Sequence, residues 1–315
     1  MVQIFRAFAI IAVVLIHTTP GAYWQVFFRP FINFAVATFL FLSGYLTKID
    51  NDNWGAFYKK RIIRILIPYV IWTVVYTIIF LDLSHLHKKL LTANASFHMY
   101  YLAVYIQFVL LTPIIGKLAK SKYMHLGWLV APISIIVFNY YRLLSGQELN
   151  PTVSLIWSDA FLGWFTFYYL GLILGNRMIE KNYSLKMLTI LYLTSIVLQM
   201  GEGYGWLMLG GSDCGSQLKL STLLTSSLFL LIIYTILRKG NIDIQNKYLR
   251  MIGDYSFGIY LCHVMVLFVI MPLFPFSRSF PFLITAVVVL LLSLCLCYLG
   301  HRVLGEKVSR WLGLI

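Results

Sequence analysis

Apolar runs approaching the ~20 residues needed to cross hydrocarbon recur from one end of the chain to the other. They stand at Ile4–Thr19, Phe31–Thr47, Ile65–Leu81, His98–Gly116, Leu126–Tyr141, Asp159–Asn176, Met187–Met200, Leu220–Leu237, Tyr255–Met271 and Phe282–Leu299, with no long polar stretch between them. The pattern predicts an all-α fold: a polytopic membrane bundle of about ten transmembrane helices that takes up residues 1–315 as one domain. The first run has the sharpest polar punctuation, ten unbroken apolar residues held between Arg6 and His17. Eleven positions at ~100° each turn through about 1100°, so the two side chains share a face, roughly 16 Å apart along the axis. An ionisable group inside a spanning helix is expensive, which makes His17 a functional-site candidate by default. The same stretch has the outline of a signal peptide but lacks an A-x-A-like cleavage site, so it is read as the first span.

Composition fits this class: 60% of residues are apolar and 11% charged, with a mean hydropathy of +0.81, against roughly 25% charged residues in soluble domains. A formal charge of +14 would suit nucleic acid, but its placement argues otherwise. With both termini cytoplasmic, nineteen of the 25 Lys and Arg fall in inner joins, and only Arg29, Lys88, Lys89, Arg142, Lys219 and Arg278 fall outside. The surplus therefore encodes topology, and the partner it implies is the lipid bilayer, with no nucleic acid. Tyr23, Trp24, Phe27 and Phe28, in the outer loop Pro20–Pro30, are rings suited to a membrane–water interface. Cys214, Cys262, Cys295 and Cys297 make no disulfide or metal framework, and no metal is expected.

Three polar patterns carry candidate chemistry. Between the second and third runs, Asn53–Pro68 projects Lys60, Arg61 and Arg64 into an arc of about 100°, with Tyr58, Ile62, Ile65 and Leu66 opposite. This predicts a basic amphipathic segment at the cytoplasmic surface. It can anchor on anionic lipid, or it can clamp a polyphosphate, since Arg61 and Arg64 stand one turn apart and each presents a planar fork. In the ninth run Ser256, Tyr260 and His263 follow one helical stripe, which suits an interhelical hydrogen bond or a polar active core equally. Asp159, at the outer edge of the sixth run, reads as a helix cap or a substrate contact. His85 and His87, in the polar loop Asp82–Phe97, do not share a helix face and make a poor metal pair. The outer loop Gly201–Lys219, rich in glycine with Glu202 and Asp213, suits a mouth for a hydroxylated ligand or a plain connection.

Taken together and in order, Arg6-x10-His17, Phe39–Tyr45, the Phe57–Pro68 run with its Arg61-x-x-Arg64, Phe167–Gly175 and Tyr255–His263 resemble the acyltransferase-3 membrane proteins. The resemblance implies transfer of an acyl group, usually acetyl from cytoplasmic acetyl-CoA or another acyl-CoA, to a hydroxyl of an extracytoplasmic glycan or related cell-envelope acceptor at the bacterial plasma membrane. It identifies His17 with the essential first-helix histidine, Arg6 with the basic member of that motif, and Arg61 and Arg64, with Lys60 beside them, as donor-binding residues. It implies the stand-alone membrane type, with no fused extracytoplasmic domain. Tyr100-Tyr101-Leu102 stands where such proteins often show a Trp-Tyr-Leu-like triplet. The chemistry agrees with the residues: a neutral imidazole can take the proton of an attacking hydroxyl, while an inner basic entrance holds the nucleotide phosphates of the donor. The rival class is a transporter or flippase of a polysaccharide or lipid-linked sugar, with Arg6, His17, Tyr260 and His263 lining its path. That class usually shows paired broken helices in two repeated halves, and no internal repeat is found.

Overall fold

The structure, a computed structural model, describes all residues except 51–52, 82–84, 147–149, 151–152, 154–156, 158–159, 212, 241–244 and 275–278. The Asp159 candidate therefore lies outside the described residues. Among those described the chain is helical, with no strand. The helices are α1 (Val2–Thr18), α2 (Ala22–Phe27), α3 (Phe34–Tyr45), α4 (Trp54–Ile79), α5 (Leu86–Thr92), α6 (Tyr100–Lys120), α7 (Gly127–Ile135), α8 (Tyr141–Ser145), α9 (Phe165–Gly175), α10 (Leu185–Met208), α11 (Leu220–Lys239), α12 (Lys247–Asp254), α13 (Ser256–Met265) and α14 (Phe282–Trp311). Seven helical stretches among the described residues are long and apolar enough to cross a membrane: Ala22–Tyr45, α4, α6, Met124–Ser145, α11, Ser256–Leu273 and α14. α1 and Phe161–Gly175 are apolar but shorter. The chain is a multi-pass membrane protein.

α1 sits inside the bundle. Ile4, Ala7, Ala9, Ile10, Ala12, Val14 and Ile16 are buried, and between Arg6 and His17 only the stripe of Phe8, Ile11 and Leu15 keeps exposure, with Phe8 at 41%. It packs against α3, α12, α13 and α14. Lipid is instead faced by longer helices, whose large apolar side chains stand exposed: Ile63, Val70 and Ile78 on α4, Leu110 and Ile114 on α6, Val287 and Leu291 on α14.

Small residues set the closest approach, between α3 and α9. A Cβ on Gly171 would run into the Phe41 carbonyl, one on Gly175 into the Tyr45 carbonyl, and one on Gly44 into the Tyr168 carbonyl. Backbone-to-backbone packing of this kind is how helices associate where lipid supplies no hydrophobic drive. Gly253 plays the same part where α12 meets the start of α1, since its Cβ would strike the Gln3 carbonyl.

Three expectations change. The basic segment 53–68 is the first half of a single 26-residue helix, α4, rather than a separate surface element. Pro68 is tolerated inside it because the carbonyl it frees belongs to the exposed Arg64 turn, where solvent or lipid headgroups can serve it. On its apolar side Ile65 is buried, but Leu66 is 41% exposed. The outer loop Pro20–Pro30 contains α2 and the start of a 3-10 turn at Arg29–Phe31, and the polar loop after α4 contains α5. At the far end α14 is broken at Gly305, whose φ of 74° leaves the helical path. The residues beyond fold back so that Trp72 Nε1 donates to the Leu312 carbonyl at 2.9 Å.

Candidate active site

His17 lies in the last turn of α1, and its depth comes from what folds over it. Phe97 covers the ring, with centroids 5.0 Å apart. His263 of α13 stands beside it at 5.2 Å between centroids, and His98, in the turn before α6, lies 5.1 Å from His263. His263 is fully buried and His98 almost so, while His17 as a residue is partly exposed, which makes it the least enclosed of the three. Three imidazoles thus form a row at one end of the bundle. Among the described residues no group of three His, Cys, Asp or Glu has the geometry to hold a metal ion.

Hydrogen bonds fix how this row is set. His263 Nδ1 lies 2.8 Å from the Tyr260 carbonyl and 3.1 Å from that of Ile259. A carbonyl only accepts, so Nδ1 carries the hydrogen and Nε2 keeps a lone pair. That Nε2 is buried with no hydrogen-bond partner. His98 Nδ1 meets Ser96 Oγ at 3.0 Å, and its backbone carbonyl accepts from the Tyr260 hydroxyl, which ties α13 to the turn before α6. Arg29 Nη2 donates to the Ile16 carbonyl at 2.9 Å, satisfying one of the free acceptors at the end of α1.

At the other end of α1, Arg6 Nη1 donates to Gln3 Oε1 at 3.1 Å, and Gln3 Nε2 donates to Asp254 at 2.5 Å. Arg64 is within electrostatic reach of Arg6, as are Tyr101 and Tyr105. Arg6 and Arg64 therefore lie at the same end of the bundle. Arg61 lies over the Phe57 ring at 4.8 Å and within reach of Tyr168. Lys60 is exposed beside them.

A column of tyrosines joins the two ends. Ring centroids are 6.1 Å apart between Tyr105 and Tyr101, 5.4 Å between Tyr101 and Tyr260, and 6.0 Å between Tyr260 and His263. Ser43 donates to the Tyr105 hydroxyl at 3.0 Å, which holds the column to α3. α13 runs parallel to α1: Asp254 precedes it at the Gln3 level and His263 comes level with His17. The expected Ser256–Tyr260–His263 stripe therefore forms, but its members serve different levels. Ser256 is buried toward the Arg6 end, Tyr260 stands in the column, and His263 belongs to the histidine row.

Residues 2–302 match the acyltransferase-3 family, whose model is described as an acyltransferase domain. The chain belongs to that family. No curated protein and no solved structure matches it. It is a membrane acyltransferase, and the first helix, the buried row at its end and the basic residues at its start are parts of the matched region. For an acyltransferase the arrangement offers an imidazole at the end of α1 beside a second, tautomer-fixed one, a packed column of phenol rings and a group of cations at the opposite end.

Sequence reasoning missed His98, Tyr101 and Tyr105 as members of this site. His98 had one usable signal: it opens an apolar helix at the same end of the bundle as His17. Tyr101 had its place in the Tyr100-Tyr101-Leu102 triplet, and Tyr105 had nothing beyond i, i+4 spacing, which is more often core packing. Cys262 and Cys297 are free, with sulfurs 3.9 Å apart among buried residues.

Proposed function

We propose that this acyltransferase moves an acetyl group from cytoplasmic acetyl-CoA, or a related acyl-CoA, to a hydroxyl of an extracytoplasmic glycan or other envelope acceptor across a bacterial plasma membrane. The observation that carries the reading is that one buried helix has its cation and its imidazole at opposite ends, joined by a continuous column of tyrosines. The donor's phosphates meet Arg6, Arg61 and Arg64, with Lys60 at the rim, and the slender thioester arm follows the column toward His17. The acceptor comes to the other end.

At the meeting point His17, unprotonated, takes the acceptor's hydroxyl proton as the oxygen attacks the thioester carbonyl. A carbon–oxygen bond forms and a tetrahedral oxyanion results. Its collapse breaks the carbon–sulfur bond, and the departing thiolate recovers the proton from His17. Charge therefore appears on the imidazole only in passing. The carbonyl end of the α1 dipole favours that cation, and the neighbouring His263, whose Nε2 lone pair has no other partner, is the group we assign to accept its second N–H.

The test is a proteoliposome assay with acetyl-CoA on one side and a hydroxylated glycan on the other. Wild-type protein releases one CoA per ester formed. His17→Ala is expected to abolish both while its unfolding midpoint in detergent stays near that of wild type. Full activity in His17→Ala, or glycan movement without CoA release, refutes the mechanism.

A further inference from the structure

Beside the His17 end of α1 lies a second polar layer that the transfer chemistry above leaves unused. Its hub is the backbone of Cys214 and Gly215. Lys219 is only 1% exposed and donates from Nζ to the Cys214 carbonyl. A Cβ on Gly203 of α10 would stand 3.1 Å from that ammonium and 3.0 Å from the same carbonyl, so a glycine is needed for the lysine to lie there. Asn33, 2% exposed, reaches the Gly215 carbonyl with Nδ2 at 3.5 Å. A Cβ on Gly215 would meet Arg29 Cδ at 3.0 Å. Gln199, 1% exposed, lies one turn before Gly203 on the same buried face of α10. From the hub Arg29 leads directly to the reacting end, because its Nη2 holds the carbonyl of Ile16, the residue before His17.

These side chains are short of partners. Both amide atoms of Gln199, Oδ1 of Asn33, Nε of Arg29 and Oε1 of Gln217 are buried without a hydrogen bond. Folded interiors leave few such atoms, so several in one layer mark a place completed by something polar. Charge gives the sign. Arg29 and Lys219 are within electrostatic reach of one another, and Glu202 is the carboxylate within reach of Lys219. That carboxylate is committed, since it accepts from the Ser221 backbone N–H at 3.0 Å and from the Ser221 hydroxyl at the start of α11. Asp213 is paired with Arg142. Among the described residues, the buried Lys219 and the half-buried Arg29 therefore share one carboxylate, which leaves one positive charge in the layer without a counter-charge.

We propose that this layer is the acceptor subsite and that the acceptor is an anionic saccharide. Its carboxylate or phosphate is held between Arg29 and Lys219, and its hydroxyl or amide groups are read by Gln199 and Asn33. Because Arg29 also touches the end of α1, the group it holds is delivered next to His17. The biological use rests on the transfer reading, but the binding does not.

Equilibrium binding separates the two. Full-length protein in nanodiscs is titrated by calorimetry with a uronic-acid oligosaccharide, a glycerol-phosphate oligomer and a neutral oligosaccharide of the same length, without acyl donor. At least one anionic probe is expected to bind ten-fold or more tighter than the neutral one, and which of the two does so tells carboxylate from phosphate. His17→Ala should bind as wild type does. Gln199→Leu, which removes unpaired amide atoms from the interior, is expected to fold at least as stably as wild type yet to weaken the preferred probe ten-fold, and Lys219→Met to erase the preference for charge. Equal binding of neutral and anionic probes, or an unchanged affinity in a folded Gln199→Leu, overturns the subsite. An anionic probe that binds as expected but is never acylated leaves the subsite standing and refutes the transfer reading instead.

Discussion

The arrangement of His263 makes a prediction that separates chemistry from scaffolding. Its Nδ1 is engaged with the Tyr260 and Ile259 carbonyls at 2.8 and 3.1 Å, while its Nε2 is buried without a partner beside the His17 ring. In His263→Asn the side-chain amide nitrogen takes the position of Nδ1 and can keep that bond, but nothing occupies the position of Nε2. The variant thus removes the acceptor and retains the anchor. During transfer His17 is briefly an imidazolium, and a hydrogen bond to a charged group is worth about 1.5–3 kcal/mol. At about 1.4 kcal/mol per decade, kcat should fall roughly 10- to 150-fold. KM for donor and acceptor should hardly move, because the ground state carries no such charge. The smaller side chain leaves a cavity that costs on the order of 1 kcal/mol, or about 2–4 °C in unfolding midpoint. His263→Gln, whose amide oxygen reaches the Nε2 position, should recover part of the rate. Single-turnover ester formation in proteoliposomes, with a thermal melt of each variant, measures all of this. A His263→Asn enzyme with the wild-type kcat, or a loss confined to KM, would show that His263 only ties helices together.

The basic entrance and the close helix pair give two further tests. Arg64→Ala should raise KM for acyl-CoA about ten-fold, the worth of one charge-assisted hydrogen bond, and Arg61→Ala should act in the same direction; neither should alter KM for an acyl-pantetheine that lacks the nucleotide phosphates, and an equal loss with both donors would assign the arginines to folding or lipid contact. Gly171→Ala should cost about 3 kcal/mol or more, because its Cβ meets the Phe41 backbone and not a side chain that can turn away, whereas Gly201→Ala, with nothing within 4 Å of the added Cβ, should be neutral or stabilise α10 by up to about 1 kcal/mol; equal melting temperatures for the two variants in detergent would refute the packing argument.

What could be read from the sequence was whatever depends on one helix at a time. The Arg6–His17 register follows from rise and turn alone, and so does the Ser256–Tyr260–His263 stripe. Placing Arg6 and Arg64 at one end of the bundle needed the path of α4, which the sequence obscured by putting Pro68 in it. The histidine row needed three helices brought to one level, and no spacing along the chain encodes the 5.1 Å between His98 and His263. Arg29 is the clearest case. As a lone basic residue outside the predicted spans it carried no more than a topological vote, and its role at the end of α1 comes from a contact thirteen residues back along the chain.

The same distinction explains why length and apolarity are poor guides to the helices that matter most. At 1.5 Å per residue the 17 residues of α1 extend about 25 Å, short of the ~30 Å of hydrocarbon. A helix that faces lipid must cover that span, and α4, at 26 residues, and α14, from Phe282 up to its break at Gly305, do. One enclosed by other helices need not, because its neighbours and not lipid surround its ends. A short α1 leaves room beyond His17 for Phe97 and Arg29, and at its start for the end of α12. If α1 were lengthened by a turn at Thr18, His17 would be enclosed by its own helix and Arg29 would lose the Ile16 carbonyl. Its brevity is therefore a condition for an imidazole at the helix end to meet a substrate, and the tyrosine column beside the helix is what ties that end to Arg6.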